Sequence, residues 1–161
     1  MAPADSTPSL SLLVRRMVRG TPEDVFRAWT EPGQIRQWWG PAGVTCQDCT
    51  VELRVGGAYR IANRMPDNTI LWISGEFLRI EPPDLIEYTW RRGDPAAGTA
   101  DSGERVTVRF IARGDGTEVL VAHSRIATQA DYASHDLGWR ACLEGLTAFL
   151  EKPRLREIIG R

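Results

Sequence analysis

The densest group of reactive side chains in this sequence is the CxxC of TCQDCT, residues 45–50. Two thiols at that spacing hold a metal or cycle as a redox pair when their sulfurs converge. The segment around them reads as a strand, however. Alternation sends residues an odd number apart to opposite faces, so Cys46 is expected outward and Cys49 inward beside Val51 and Leu53. A redox CxxC draws its low thiol pKa from a following helix N-terminus, and no helical pattern follows here. Structural zinc takes four ligands, whereas Cys142, His123 and His135 offer no matching spacing. Neither a metal nor a redox role is expected.

His123 is the next candidate, on the apolar face of TEVLVAHS, residues 117–124. Such an imidazole works as a general base when a carboxylate orients it. No acidic residue shares its strand face, and Glu76 reaches inward only if a bulge at Gly75 shifts the register. A satisfied core histidine is the competing reading. Lys152 is the only lysine and lies near the C-terminal end, so Schiff-base chemistry has no obvious carrier. No catalytic residue and no cofactor is assigned.

These side chains must be positioned by elements of changing period. LSLLVRRMVRG, residues 10–20, alternates as a strand. Thr21 then caps a helix with Pro22 at its first position and Glu23 and Asp24 in the first turn. Glu31-Pro32 opens a second short helix, which Gly40-Pro41 ends just after Trp38 and Trp39. One of that pair is expected to plug the core and the other to face the rim or a cavity; plain packing of both is the alternative. Six strand-like runs follow, separated by turn residues, and imply an antiparallel meander. Residues 131–151 return to a helical period, with His135, Trp139, Cys142, Leu143, Leu146, Phe149 and Leu150 in one stripe.

Strand parity then yields an inner set. Tyr59, Ile61 and Asn63 share a face, as do Tyr88 and Trp90, Val106, Val108 and Phe110, and Val119, Val121 and His123. Arg60, Arg64, Glu87, Thr89 and Arg109 fall on the solvent side. Trp72 and Phe77 are both candidates, their faces depending on a bulge at Gly75. With Trp39 before the strands and Trp139 and Leu143 on the last helix, these aromatic and aliphatic residues form a candidate ligand wall, with Tyr59, Asn63, Tyr88 and His123 as polar handles. The competing reading is a solid core.

Composition sets the outer limits. The 161 residues, 42% hydrophobic and 25% charged with a formal net charge of -1, suit one globular domain. Arginines alternate with acids instead of clustering, so nucleic acid is not an expected partner. No run approaches the roughly 18 apolar residues that cross a bilayer, and no membrane partner is expected. Three cysteines, few and odd in number, fit a reducing cytoplasm. Residues 1–8 read as a flexible leader, 9–152 as one domain and 153–161 as a tail. The 91–103 segment, RRGDPAAGTADSG, is long for a hairpin link and is a candidate lid or an idle loop.

Several of these stretches also carry a resemblance. TPEDVFRAWTEPGQIRQWWGP, VELRVGGAYRIANRMPDN, GEFLRIEPPDLIEYTW, GTEVLVAHS and GWRACLEGLTAFL, in that order, resemble the START-like, helix-grip superfamily also called SRPBCC or Bet v 1-like. Within it the match is to single-domain relatives of the HSP90 ATPase activator's C-terminal domain, over roughly residues 10–151. The resemblance implies an α+β fold: a curved antiparallel sheet of about seven strands around a long C-terminal helix, with two short helices after strand 1. It also implies a cavity between sheet and helix. Members are similar to lipid carriers, polyketide cyclases and stress proteins and share no catalytic triad, so fold does not specify function. The expected role is binding of a small, mostly hydrophobic molecule. A cavity enzyme of cyclase or lyase type, using His123 or Tyr88, is the alternative, and a protein-interaction role the third. An HSP90-type chaperone is not an expected partner, because the eukaryotic activators engage it through an additional N-terminal domain. A homodimer stays open.

Overall fold

A computed structural model describes residues 9–40, 43–93 and 103–152. The expected leader and tail, and most of the 91–103 segment, lie outside these residues. The chain runs β1 (Leu10–Arg19), α1 (Pro22–Thr30), α2 (Pro32–Trp38), β2 (Thr45–Val51), β3 (Ala58–Arg64), β4 (Ile70–Glu81), β5 (Leu85–Arg92), β6 (Glu104–Arg113), β7 (Gly116–Ile126) and α3 (Gln129–Glu151). The strands form one antiparallel sheet in the order β1-β7-β6-β5-β4-β3-β2. The meander therefore accounts for β2 to β7, and β1 joins beside the last strand, pairing Val14 with Val121. This is the α+β helix-grip architecture that the turn wording implied.

Local chemistry explains the element ends. Thr21 and Asp24 form a capping box at α1: the Asp24 amide donates to Thr21 Oγ1 at 3.2 Å, and the Thr21 amide donates to Asp24 Oδ2 at 3.0 Å. Two of the helix's orphan donors are thus satisfied. At α3 the Thr128 hydroxyl oxygen accepts from the Asp131 amide at 3.1 Å. The α3 stripe packs across β1 and against α2, burying His135, Trp139, Cys142, Leu143 and Leu146. Gly145 permits that approach, since a Cβ there would stand 2.5 Å from the Trp38 carbonyl oxygen. Five of the six tryptophans, Trp29, Trp38, Trp39, Trp90 and Trp139, are buried where α1, α2 and α3 meet the sheet. Among the described residues no helix is long and apolar enough to cross a membrane.

Four expectations are corrected, two of them through register. The β2–β3 pairing slips between Cys46 and Asp48, so the thiols do not diverge as strict alternation demands: Cys46 stands opposite Asn63 and Cys49 opposite Ile61, on one face, and the Cys46 thiol donates to the Asp48 carbonyl at 3.4 Å. Leu53 lies beyond the end of β2 and is exposed. In β4 the slip falls between Phe77 and Arg79, beyond the expected Gly75. Gly75 serves close approach instead: a Cβ there would meet the Thr89 carbonyl oxygen at 2.1 Å. Thr89 is buried, not solvated, because its hydroxyl accepts from the Glu76 amide at 2.9 Å.

Candidate functional site

Between the β3–β5 part of the sheet and the Ser134–Cys142 stretch of α3 lies a cavity of about 270 Å³. Trp39, Trp90 and Trp139 supply its aromatic wall, with centroids 5.4–6.3 Å apart. Leu71 and Ile73 of β4 and Met65 add aliphatic surface, and Asn63, Arg92, Ser134 and His135 are its polar groups. Gly138 belongs to the wall as well, and a Cβ built on it meets nothing within 4 Å. Burial pushes the Cys142 thiol up to about 11, so it lines the space as a neutral group.

The polar groups of the wall are held from behind. The Trp39 indole N–H donates to Asn63 Oδ1 at 2.9 Å, and Asn63 Nδ2 donates to the Leu71 carbonyl at 3.1 Å. Leaving such a buried amide unpaired would cost roughly 1–3 kcal/mol, so these bonds set its orientation. His135 is held by Glu104, whose Oε1 lies 2.9 Å from His135 Nε2 and 2.8 Å from His123 Nε2. The two imidazoles stack with centroids 4.2 Å apart. Burial raises the Glu104 carboxyl pKa, but the two imidazole hydrogen bonds outweigh it and bring the group down to about 2. Glu104 is therefore an ionised acceptor at neutral pH. For His123, desolvation dominates and lowers the pKa despite the carboxylate, so that ring is neutral.

Glu104, His123 and His135 have the composition of a metal-binding triad, and their ligand atoms lie within 4.8 Å of one another. The surroundings argue against that use. The Trp139 indole N–H donates to His123 Nδ1 at 3.0 Å, which puts the His123 proton on Nε2. A metal-ligating imidazole normally donates its other N–H to an acceptor. Here the second partner is a donor, and a metal on Nε2 would leave Nδ1 either protonated against that N–H or stripped to imidazolate. The donor set does not fit a metal ion.

The residues expected at the ligand wall divide into four groups. Trp39, Asn63, Trp90 and Trp139 border the cavity. Tyr59, Ile61, Phe77 and Tyr88 surround a separate void of about 30 Å³, which has room for water but no organic guest. Their hydroxyls are engaged there: Tyr59 donates to the Thr89 carbonyl at 2.6 Å, and Tyr88 accepts from the Trp29 indole at 3.4 Å. Phe110, His123 and Leu143 are fully buried. Trp72 points to the opposite face, where the Arg60 guanidinium lies 4.5 Å from its ring centre. No slip separates it from Phe77, so the odd offset places the two on opposite sides.

Sequence reasoning overlooked Glu104, His135 as a wall residue, Arg92 and Gly138. Parity held the signal for Glu104, since the face carrying Val106, Val108 and Phe110 continues two residues back to it. For Gly138 no signal existed, because only the gap between layers distinguishes it.

The family model described as Activator of Hsp90 ATPase homolog 1-like protein matches residues 19–151. No curated protein matches the chain. Among solved structures, a protein from Chromobacterium violaceum is 27% identical over 89% of this chain and 98% of its own, with a TM-score of 0.73. One from Arthrobacter aurescens is 24% identical over 89% and 87%, with a TM-score of 0.76. One from Rhodobacter sphaeroides is 23% identical over 87% and 91%, with a TM-score of 0.75. At these identities the last two speak for the fold alone.

Proposed function

Since the chain belongs to the Activator of Hsp90 ATPase homolog 1-like family, we propose that it is a binding module of that family, holding a small, mostly apolar molecule between sheet and α3. The observation that carries this reading is the 270 Å³ cavity walled by three tryptophans. Its size sits just below the usual range of ligand pockets, about 300–1,000 Å³, and well above the roughly 150 Å³ that admits benzene. An apolar wall with a few oriented polar groups is how such sites are built. The side chains invoked by the enzyme alternative, His123 and Tyr88, have their polar atoms occupied inside the core. The ATPase activation in the family's description is a property of the namesake. The proposed setting is the cytoplasm, in keeping with three free thiols.

Native mass spectrometry of protein purified from its own host tests the reading, with Gly138→Leu as the comparison. The wild type is expected to retain a small molecule, and the variant, whose Cβ at this wall position meets nothing within 4 Å, to lose it while keeping its fold. A wild type that carries no adduct and gains none from a panel of small aromatics would overturn the proposal.

A further inference from the structure

One wall residue differs in kind from the rest. His135 is 7% exposed and lines the cavity, whereas Glu104, on which its Nε2 is spent, does not. An ionised carboxylate oxygen only accepts, so His135 donates to it from Nε2, and the tautomer with its single proton there keeps a lone pair on Nδ1. That Nδ1 has no hydrogen-bond partner among the described residues. The ring cannot turn to satisfy it: a flip would exchange Nε2 for carbon at Glu104, and His123 stacks on one face while Trp90 meets the ring at 87°. His123 is itself locked, by Trp139 on one nitrogen and Glu104 on the other. The cluster thus presents a pre-oriented acceptor in a mainly apolar wall, and Arg92, whose guanidinium lies 3.9 Å from Asp131, stands in the same wall as a cation.

We propose that His135 is the specificity residue of this cavity, accepting a hydrogen bond from a weakly acidic hydroxyl on a flat aromatic guest, a phenol-type ligand. The inference rests on the binding reading above and adds the ligand's chemistry to it. Glu104 acts as a positioning residue, holding the tautomer that leaves Nδ1 free to accept. Arg92 offsets the charge that builds on the guest's oxygen as its proton is shared. A guest without a donor would leave Nδ1 desolvated and unpaired, which is the physical basis for discrimination.

Three probes of similar shape separate the outcomes: naphthalene, 2-naphthol and 2-methoxynaphthalene, titrated against the full chain by calorimetry and quenching of the buried tryptophans. The ether is larger than the phenol and the hydrocarbon smaller, so size alone cannot favour 2-naphthol. The expected result is that 2-naphthol binds about tenfold more tightly than either, the difference one oriented hydrogen bond supplies. His135→Phe, which keeps an aromatic ring between His123 and Trp90, is expected to bring the three probes to equal affinity. Equal binding of all three to the wild type overturns this proposal and leaves the cavity reading standing. Binding of none overturns both. A preference that survives His135→Phe in a variant with an unchanged near-ultraviolet circular dichroism spectrum assigns the hydroxyl to another group and overturns the role of His135.

Discussion

The indole N–H of Trp139 lies 3.0 Å from Nδ1 of His123, and this single bond decides where the proton on that imidazole resides. Both residues are buried, so no water competes for the position. From it follow the direction of the His123–Glu104 bond, the ionised acceptor shared with His135, and the exclusion of a metal from a triad of otherwise suitable composition.

The tautomer is directly measurable. Long-range proton–nitrogen correlation spectra of the native protein should show His123 neutral with its proton on Nε2 at pH 7. Equimolar zinc should leave the thermal midpoint unchanged, because ligation would set two donors against each other. A zinc-dependent rise in the midpoint, abolished by His123→Gln, would contradict the assignment.

Acid stability should follow the Glu104 cluster. The Glu104 carboxyl titrates at about 2 when folded and near 4.3 when unfolded, so its stabilising effect is complete above the unfolded value and fades as pH falls from about 5 to 2. His123 acts in the same direction at higher pH. Its folded pKa is lowered, so protonation favours the unfolded chain once pH drops below about 6.5. Denaturant unfolding should therefore show stability declining below pH 6.5 and steepening below 5. Glu104→Gln should cost roughly 2–3 kcal/mol at pH 7 and flatten the lower limb, since a tenfold difference in proton affinity between folded and unfolded chain corresponds to about 1.4 kcal/mol.

Two glycines should respond oppositely to the same change. Gly75→Ala drives a methyl group to 2.1 Å from the Thr89 carbonyl oxygen and forces β4 and β5 apart, with an expected loss of at least about 2 kcal/mol. Gly138→Ala adds a methyl that meets nothing within 4 Å and raises helix propensity, with an expected gain of up to about 1 kcal/mol. Urea midpoints of the two variants, measured side by side, check both signs.

The thiols should titrate unequally. The neighbouring Cys49 thiol, with Arg36 nearby, lowers the Cys46 pKa, and Cys46 is partly exposed. Cys49 is raised far above the ordinary thiol value by the adjacent Cys46 and by burial, and Cys142 is raised by burial. A colorimetric disulfide reagent should find one fast thiol in the native protein and the others only on unfolding. Cys46→Ser should remove the fast phase.

What could be read from residue order alone was whatever depends on local pattern. Thr21, Pro22 and Asp24 announce α1 by their own hydrogen-bonding needs, alternation marks the strands, and the Trp139–Leu143–Leu146 stripe marks α3, because periodicity and capping are properties of neighbouring residues. The same parity put Asn63 and Trp90 on the inner face, where they are found. Tertiary structure decided the rest. Whether an inward aromatic fills the core, as Tyr59 does, or borders open space, as Trp39 does, depends on the gap between two layers. Glu104 meets His123 and His135 across 19 and 31 residues of chain, and the Cys46–Asp48 slip rejoins two thiols that alternation parts. Registers and gaps arise only when distant segments pack, so no local pattern contains them.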